Sequence, residues 1–156
     1  MHLGSNLGNR FEYLQKAILA LSVKFGEVLK QSGIYETKAW GIASQPDFLN
    51  MALVYETKET PLKVLGIVKL IEREIGRRKR NRWNEREIDI DIIFYGEEIV
   101  EEPDLCIPHL LMHHRGFVLT LLNEIIPDFK HAILNKSVHQ LYKECMDTLE
   151  VKPWKM

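Results

Sequence analysis

Charge of one sign is missing from this chain: 21 Lys+Arg stand against 22 Asp+Glu, a net charge of −1. That excludes a histone-like polycation or a polybasic tail. Cysteine is scarce. Cys106 and Cys145 are the only two, without CxxC spacing, so neither a zinc site nor a dithiol redox pair is indicated. Two free thiols in a reducing cytosol are expected, with a lone disulfide as the alternative. Apolar runs fall far short of the roughly 20 residues that span a bilayer. The start, MHLGSNLGNR, has no apolar stretch after a basic one, so no secretory signal is read and a cytoplasmic location is expected. Internal repeats and a Pro/Gly/Ser-rich linker are also lacking. The 156 residues therefore suit one domain, spanning 1–156. Finally, the chain has no GxxxxGK[ST] loop, no kinase GxGxxG with HRD and DFG partners, and no HExxH.

What is present is an ordinary apolar fraction, 46%, enough to offset the entropy of ordering a core. Leu14, Ala17, Ile18, Leu21 and Phe25 recur at helical spacing and predict a helix over 10–25, with Asn6 or Asn9 as cap and Gly26 as stop. Residues 28–36 and 49–57 read as strands, joined by a loop from Thr37 to Phe48. Thr60-Pro61 opens a second helix that runs to Gly76, since proline at the first helical position lacks only an N–H that would be unpaired anyway. Residues 88–95, IDIDIIFY, read as a strand with one acidic face. A helical patch near 115–123 and an amphipathic helix near 136–147 follow. This order suits an α+β, ferredoxin-like split βαβ sandwich with helices on an antiparallel sheet. Only Met1-His2-Leu3 are left for a first strand, which is therefore expected to be truncated.

Asp89 and Asp91 are two apart, which on a strand puts both carboxylates on one face and Ile88, Ile90 and Ile92 on the other. Mg²⁺ relieves the repulsion of such a pair and takes its remaining ligands from water and phosphate; a solvated strand face is the alternative. Directly before it lies RRKRNRWNER (77–86), six of ten residues basic. Guanidinium forks grip phosphate oxygens; a solvated loop or a nonspecific nucleic-acid patch is the alternative. Together the two segments form the halves of a polyphosphate site. Asn50 offers a donor and an acceptor suited to a heterocycle edge, and Phe48 on the same face could stack on a ring, with Phe117 as a second face. Core packing is the alternative for both aromatics. His113 and His114 read as exposed helix surface.

LGSNLGNR (3–10), YETKAWGIASQPDFLN (35–50), EREIGR (72–77), RWNEREIDIDIIFYG (82–96) and PHLLMHHRGFVL (108–119) occur in an order and spacing that span nearly the whole chain. In these segments the chain resembles the 6-hydroxymethyl-7,8-dihydropterin pyrophosphokinase family of folate biosynthesis. The resemblance implies a ferredoxin-like fold and transfer of the β,γ-pyrophosphoryl group of ATP to the hydroxymethyl oxygen of a reduced pterin, releasing AMP. It implies two Mg²⁺ ions on Asp89 and Asp91, and a pterin pocket of Thr37, Trp40, Phe48, Asn50 and Phe117. It places Glu72, Arg78, Arg86, His109 and Arg115 on ATP, with Arg86, Arg78 and Trp83 on the catalytic loop. A monomer without nucleic-acid or membrane partners is expected, with an association with the next folate-pathway enzyme as the one macromolecular contact. The chain departs from the family where RWGPR reads RWNER, where Lys38 replaces a common proline, and where Arg77, Arg78 and Arg80 are ambiguous in register.

Two rivals remain at this point. One is a nucleic-acid-binding ferredoxin-like module, against which stand the missing RNP motif and the Asp89–Asp91 pair. The other is a pterin-binding protein without catalysis.

Overall fold

The computed structural model describes residues 1–40, 45–78 and 85–155. The first helix, α1 (Arg10–Phe25), has the bounds that its apolar spacing predicts. Asn9 caps it: the side-chain oxygen accepts from the Glu12 N–H at 3.2 Å. The second, α2 (Pro61–Ile75), starts behind Thr60, whose hydroxyl accepts from the Lys63 N–H. Gly76 ends it at φ 109°, a left-handed conformation that side chains with a Cβ rarely adopt, and its N–H returns to the Arg73 and Glu72 carbonyls.

The sheet is antiparallel throughout, built from β1 (His2–Ser5), β2 (Lys30–Gln31), β3 (Tyr35–Thr37), β4 (Phe48–Val54), β5 (Asp89–Asp91) and β8 (Val151–Pro153). Its order is β5-β1-β4-β3-β8, with β2 also on β4. The expected truncation of the first strand is corrected here. Gly4 and Ser5, which resemble the start of a turn, extend it to four buried residues, paired with β4 on one side and β5 on the other. Two-sided pairing at the sheet centre satisfies the backbone of even so short a strand.

Other strands are shorter than expected. The 28–36 segment breaks between β2 and β3 because the Ser32 hydroxyl, at 2.9 Å, takes the Ala52 N–H that a ladder carbonyl would otherwise accept. Beyond Asp91 the chain leaves the sheet, and the Ile93 carbonyl accepts from His109 N–H instead. The hairpin of β6 (Val100–Glu102) and β7 (Leu105–Ile107), and β8 itself, are three-residue strands that no hydrophobic period announces. A 3₁₀ turn (Met112–His114), α3 (Gly116–Ile125) and α4 (Val138–Glu144) complete the fold; α4 is shorter than the 136–147 expected. None of the helices among the described residues is long and apolar enough to cross a membrane.

Strand alternation divides the core. Leu49, Met51 and Leu53 of β4, with Leu3 and Ile90, pack with Leu14, Ala17, Leu21, Val64, Val68 and Ile71 of α1 and α2. Ala52 joins Val118, Leu122 and Leu141 of α3 and α4 in a second cluster. Each buried Leu or Val contributes about 1.5–3 kcal/mol. The helices α3 and α4 leave part of their face of the sheet uncovered, which is where His2, Gly4, Asn50, Asp89 and Asp91 emerge.

His113, placed by its sequence on an exposed helix surface, instead joins a group of imidazoles on the 3₁₀ turn. Its ring centroid lies 3.9 Å from that of the exposed His114 and 6.1 Å from that of the buried His131, which meets Phe94 edge-on. Burial, and then the neighbouring imidazoles, push the His113 and His131 pKa values below the usual 6.5. The unfolded chain thus binds protons more readily than the folded one. Stability is fully present above about pH 6.5 and falls as the pH drops below it. Urea midpoints at pH 7.5 and 5.5 should show the loss. His131→Asn, which keeps an acceptor for the Leu134 N–H, should reduce the difference.

Candidate active site

The strand register assembles the site. Gly4 of β1 stands opposite Asp89 of β5 and Asn50 of β4, and His2 opposite Asp91. Leu3 and Ile90 point to the core, so all of these side chains share the open face. Thr37 pairs with Phe48 across β3 and β4, and Phe117 in the first turn of α3 closes one wall. The resulting cleft opens to solvent. A Cβ on Gly4 would stand 3.3 Å from the Asn50 amide oxygen and 3.5 Å from the Phe48 ring, so glycine keeps the floor flat.

At one end lie the carboxylates. Asp89 accepts from Arg77, 2.8 Å from its Oδ1, and from Arg86 on Oδ2. Asp91 Oδ2 lies 3.6 Å from His2 Nδ1. Burial alone would raise the Asp91 pKa. His2, 3.6 Å away, with His109 and the Arg115 guanidinium, outweighs it and holds the carboxyl well below the usual range. Asp91 is therefore ionised at neutral pH.

Across the cleft Arg115 lies over the Trp40 ring at 5.1 Å. Its Nε is buried and meets no acceptor among the described residues. Burial pulls its pKa down while Asp91 and Asp89 hold it up. A buried guanidinium N–H without a partner is an anion donor in waiting. His109, beside the same carboxylate, has its pKa lowered by burial first, with Asp91 opposing and Arg115 and His2 adding to the fall. Its Nδ1 accepts from the Leu111 N–H, which sets the ring's orientation.

At the other end Asn50 is engaged on both sides: Nδ2 donates to Thr37 Oγ1 at 2.8 Å, and Oδ1 faces His2 Nε2 at 3.1 Å. The amide keeps a second N–H and a second lone pair for a ligand.

The structure thus brings Thr37, Trp40, Phe48, Asn50, Arg86, Asp89, Asp91, Arg115 and Phe117 to one cleft. Glu72 is not on its wall. It sits buried on α2 behind β5, where its carboxylate accepts from the Ile90 N–H at 2.8 Å, from Lys69 and from Arg77. Burial, aided by Asp89, raises its pKa; Lys69 and Arg77 oppose this. Arg77 joins Glu72 to Asp89, so among the described residues it is Arg77, of the ambiguous arginines, that meets Asp89. Arg78 is exposed, its N–H donating to Glu87. Trp83 and Arg80 lie outside the described residues. His2 was missed altogether. Met1-His2-Leu3 reads as a truncated first strand, and no motif in it marks His2 as part of the site.

The 7,8-dihydro-6-hydroxymethylpterin-pyrophosphokinase family model matches residues 1–127. A 2-amino-4-hydroxy-6-hydroxymethyldihydropteridine pyrophosphokinase of Aquifex aeolicus is 41% identical over 142 residues, 91% of this chain and 88% of that protein. The protein of that name from Haemophilus influenzae is 42% identical over 127 residues, 81% of this chain and 79% of its own. Among solved structures, Plasmodium falciparum HPPK-DHPS superposes with a TM-score of 0.71 at 19% identity, covering 92% of this chain and 43% of that one. That likeness bears on the fold, which is the ferredoxin-like α+β plan. By its sequence the chain belongs to the 7,8-dihydro-6-hydroxymethylpterin-pyrophosphokinase family, which transfers pyrophosphoryl from ATP to 6-hydroxymethyl-7,8-dihydropterin in folate biosynthesis.

Proposed function

We propose that this cleft is where the chain performs the transfer, with the pterin at the Asn50 end and the ATP phosphates between Asp89–Asp91 and Arg115. One observation carries the reading. A carboxylate pair and a buried guanidinium whose Nε meets no acceptor among the described residues face one cavity whose floor is an aromatic ring and an amide.

The pterin ring lies between Phe48 and Phe117, and Asn50 pairs with its polar edge. Thr37 fixes the Asn50 side chain, and Trp40 supports Arg115. Phe48→Ala and Asn50→Ala should each raise the pterin KM roughly tenfold or more while leaving the ATP KM nearly unchanged. Initial rates at saturating ATP check this.

Asp89 and Asp91 fit Mg²⁺. Both are hard oxygen donors on one face, Asp91 is held ionised, and two carboxylates leave room for the water and phosphate ligands that Mg²⁺ prefers. They would hold two ions, which when bound polarise phosphate oxygens and acidify a hydroxyl. The chain's own part is positional. Pterin and triphosphate are held so that the hydroxymethyl oxygen lies in line with the β-phosphorus and the α-phosphate oxygen, leaving with AMP. Arg86, Arg78 and Arg115 offset the negative charge that spreads in the transition state, with His109 and Trp83 as further contacts of the phosphates. Glu72 serves ATP indirectly here, by anchoring β5 and Arg77.

Incubation with ATP, Mg²⁺ and 6-hydroxymethyl-7,8-dihydropterin should release AMP, and EDTA should stop it. ADP as product, or pterin binding without AMP, would overturn the assignment. The two half-buried thiols suit a cytoplasmic monomer. The Plasmodium chain, in which HPPK is joined to DHPS, supports an association with the next folate-pathway enzyme.

A further inference from the structure

We infer that His2 is a positioning residue for the pterin: it fixes which end of the Asn50 amide faces the ligand. The inference rests on the reading of Asn50 and Phe117 as the pterin pocket.

His2 is 5% exposed in the central strand β1, inside the cleft wall. Its Nε2 lies 3.1 Å from Asn50 Oδ1, its Nδ1 3.6 Å from Asp91 Oδ2, and its ring centroid 5.4 Å from that of Phe117. Its Cε1 is 3.4 Å from where a Cβ on Gly4 would stand. One imidazole therefore touches the amide, the aromatic wall and the acidic end of the site.

The orientation argument follows from donor and acceptor capacities. Thr37 Oγ1 holds the far end of the Asn50 amide, but a hydroxyl both donates and accepts, so Thr37 tolerates either end. A carbonyl oxygen only accepts. With Oδ1 beside it, Nε2 must carry a proton, and the N–H then holds the oxygen on the β1 side. The remaining lone pair and the remaining Nδ2 N–H reach the ligand in a fixed order. Without His2 the amide is free to turn end for end, and half of its orientations oppose the donor–acceptor order of a pterin edge.

The test is steady-state kinetics with a double-mutant cycle. His2→Ala should raise the pterin KM roughly tenfold, a larger change than in kcat or in the ATP KM. His2→Phe keeps a ring against Phe117 but has no N–H, and it should lose as much; melting curves of both variants report the fold. In an Asn50→Ala background His2→Ala should add less than about twofold, because its effect runs through an amide already gone. Wild-type pterin KM in both His2 variants would sink the inference, as would full additivity with Asn50→Ala. If Asn50→Ala itself leaves the pterin KM unchanged, the pocket reading falls and takes this inference with it; a raised KM there beside a normal His2→Ala removes only the role of His2.

Discussion

Asp89→Ala and Asp91→Ala are each expected to lower kcat/KM about 10³-fold, the several kcal/mol that a lost cation site is worth, while the cooperative unfolding transition persists. The reason lies in how the pair is held. Both side chains leave β5 on the open face, and Ile90 between them anchors the strand in the α1–α2 core, so removing either carboxylate leaves the packing intact. Asp89 is already balanced by Arg77 and Arg86, so its charge does not stand unopposed beside Asp91 in the folded protein. Asp91→Asn is the sharper variant, since it keeps shape and removes charge. AMP release at saturating Mg²⁺, with a melting curve beside it, decides the matter. Near-normal turnover in both alanine variants would sink the metal assignment.

The second large effect is expected at Arg86. Its backbone is clamped by Asn6, with the Arg86 N–H donating to Asn6 Oδ1 at 2.8 Å and the Asn6 N–H donating to the Arg86 carbonyl at 3.2 Å. The guanidinium is thereby delivered to Asp89 at the mouth of the cleft. Arg86→Ala keeps that backbone clamp and removes only the charged fork. It should lower kcat about 10²-fold, in line with the loss of one preorganised donor to a developing negative charge. The pterin KM should move by less than about threefold, because Arg86 lies at the phosphate end. Arg86→Lys should recover only part of the rate, since a single ammonium cannot replace a planar fork on phosphate oxygens. A loss confined to pterin affinity would contradict the transition-state role.

How much of this was legible beforehand differs from element to element. The helix Arg10–Phe25 was readable because its apolar period, cap and stop lie within one short window. The acidic face of β5 was readable for the same reason, since Ile88-Asp89-Ile90-Asp91-Ile92 alternates over five residues. The motif order carried the pterin and phosphate residues, and nine of those named stand around one cleft. Glu72 shows where such reading stops. The family resemblance puts Glu72 on ATP, while its carboxylate is buried on the Ile90 N–H behind the strand. Position along the chain carried no information about which side of β5 it would meet.

The strands β6, β7 and β8 were invisible because three residues hold less than two periods of alternation. β1 was misjudged as truncated because its stability is not local: Gly4 and Ser5 are poor strand formers in isolation, held in the sheet by neighbours on both sides.

By itself, then, the sequence determined the helices, the acidic pair, the arginine-rich approach to it and the family. These rest on short-range periods and on motif order. Only the tertiary structure decided that Arg77 and Arg86 meet Asp89, that the buried Arg115 Nε meets no acceptor among the described residues, that Glu72 works from behind the strand, and that His2 lies between Asn50 and Asp91. The energies of such contacts are set by register and burial, which no local pattern encodes.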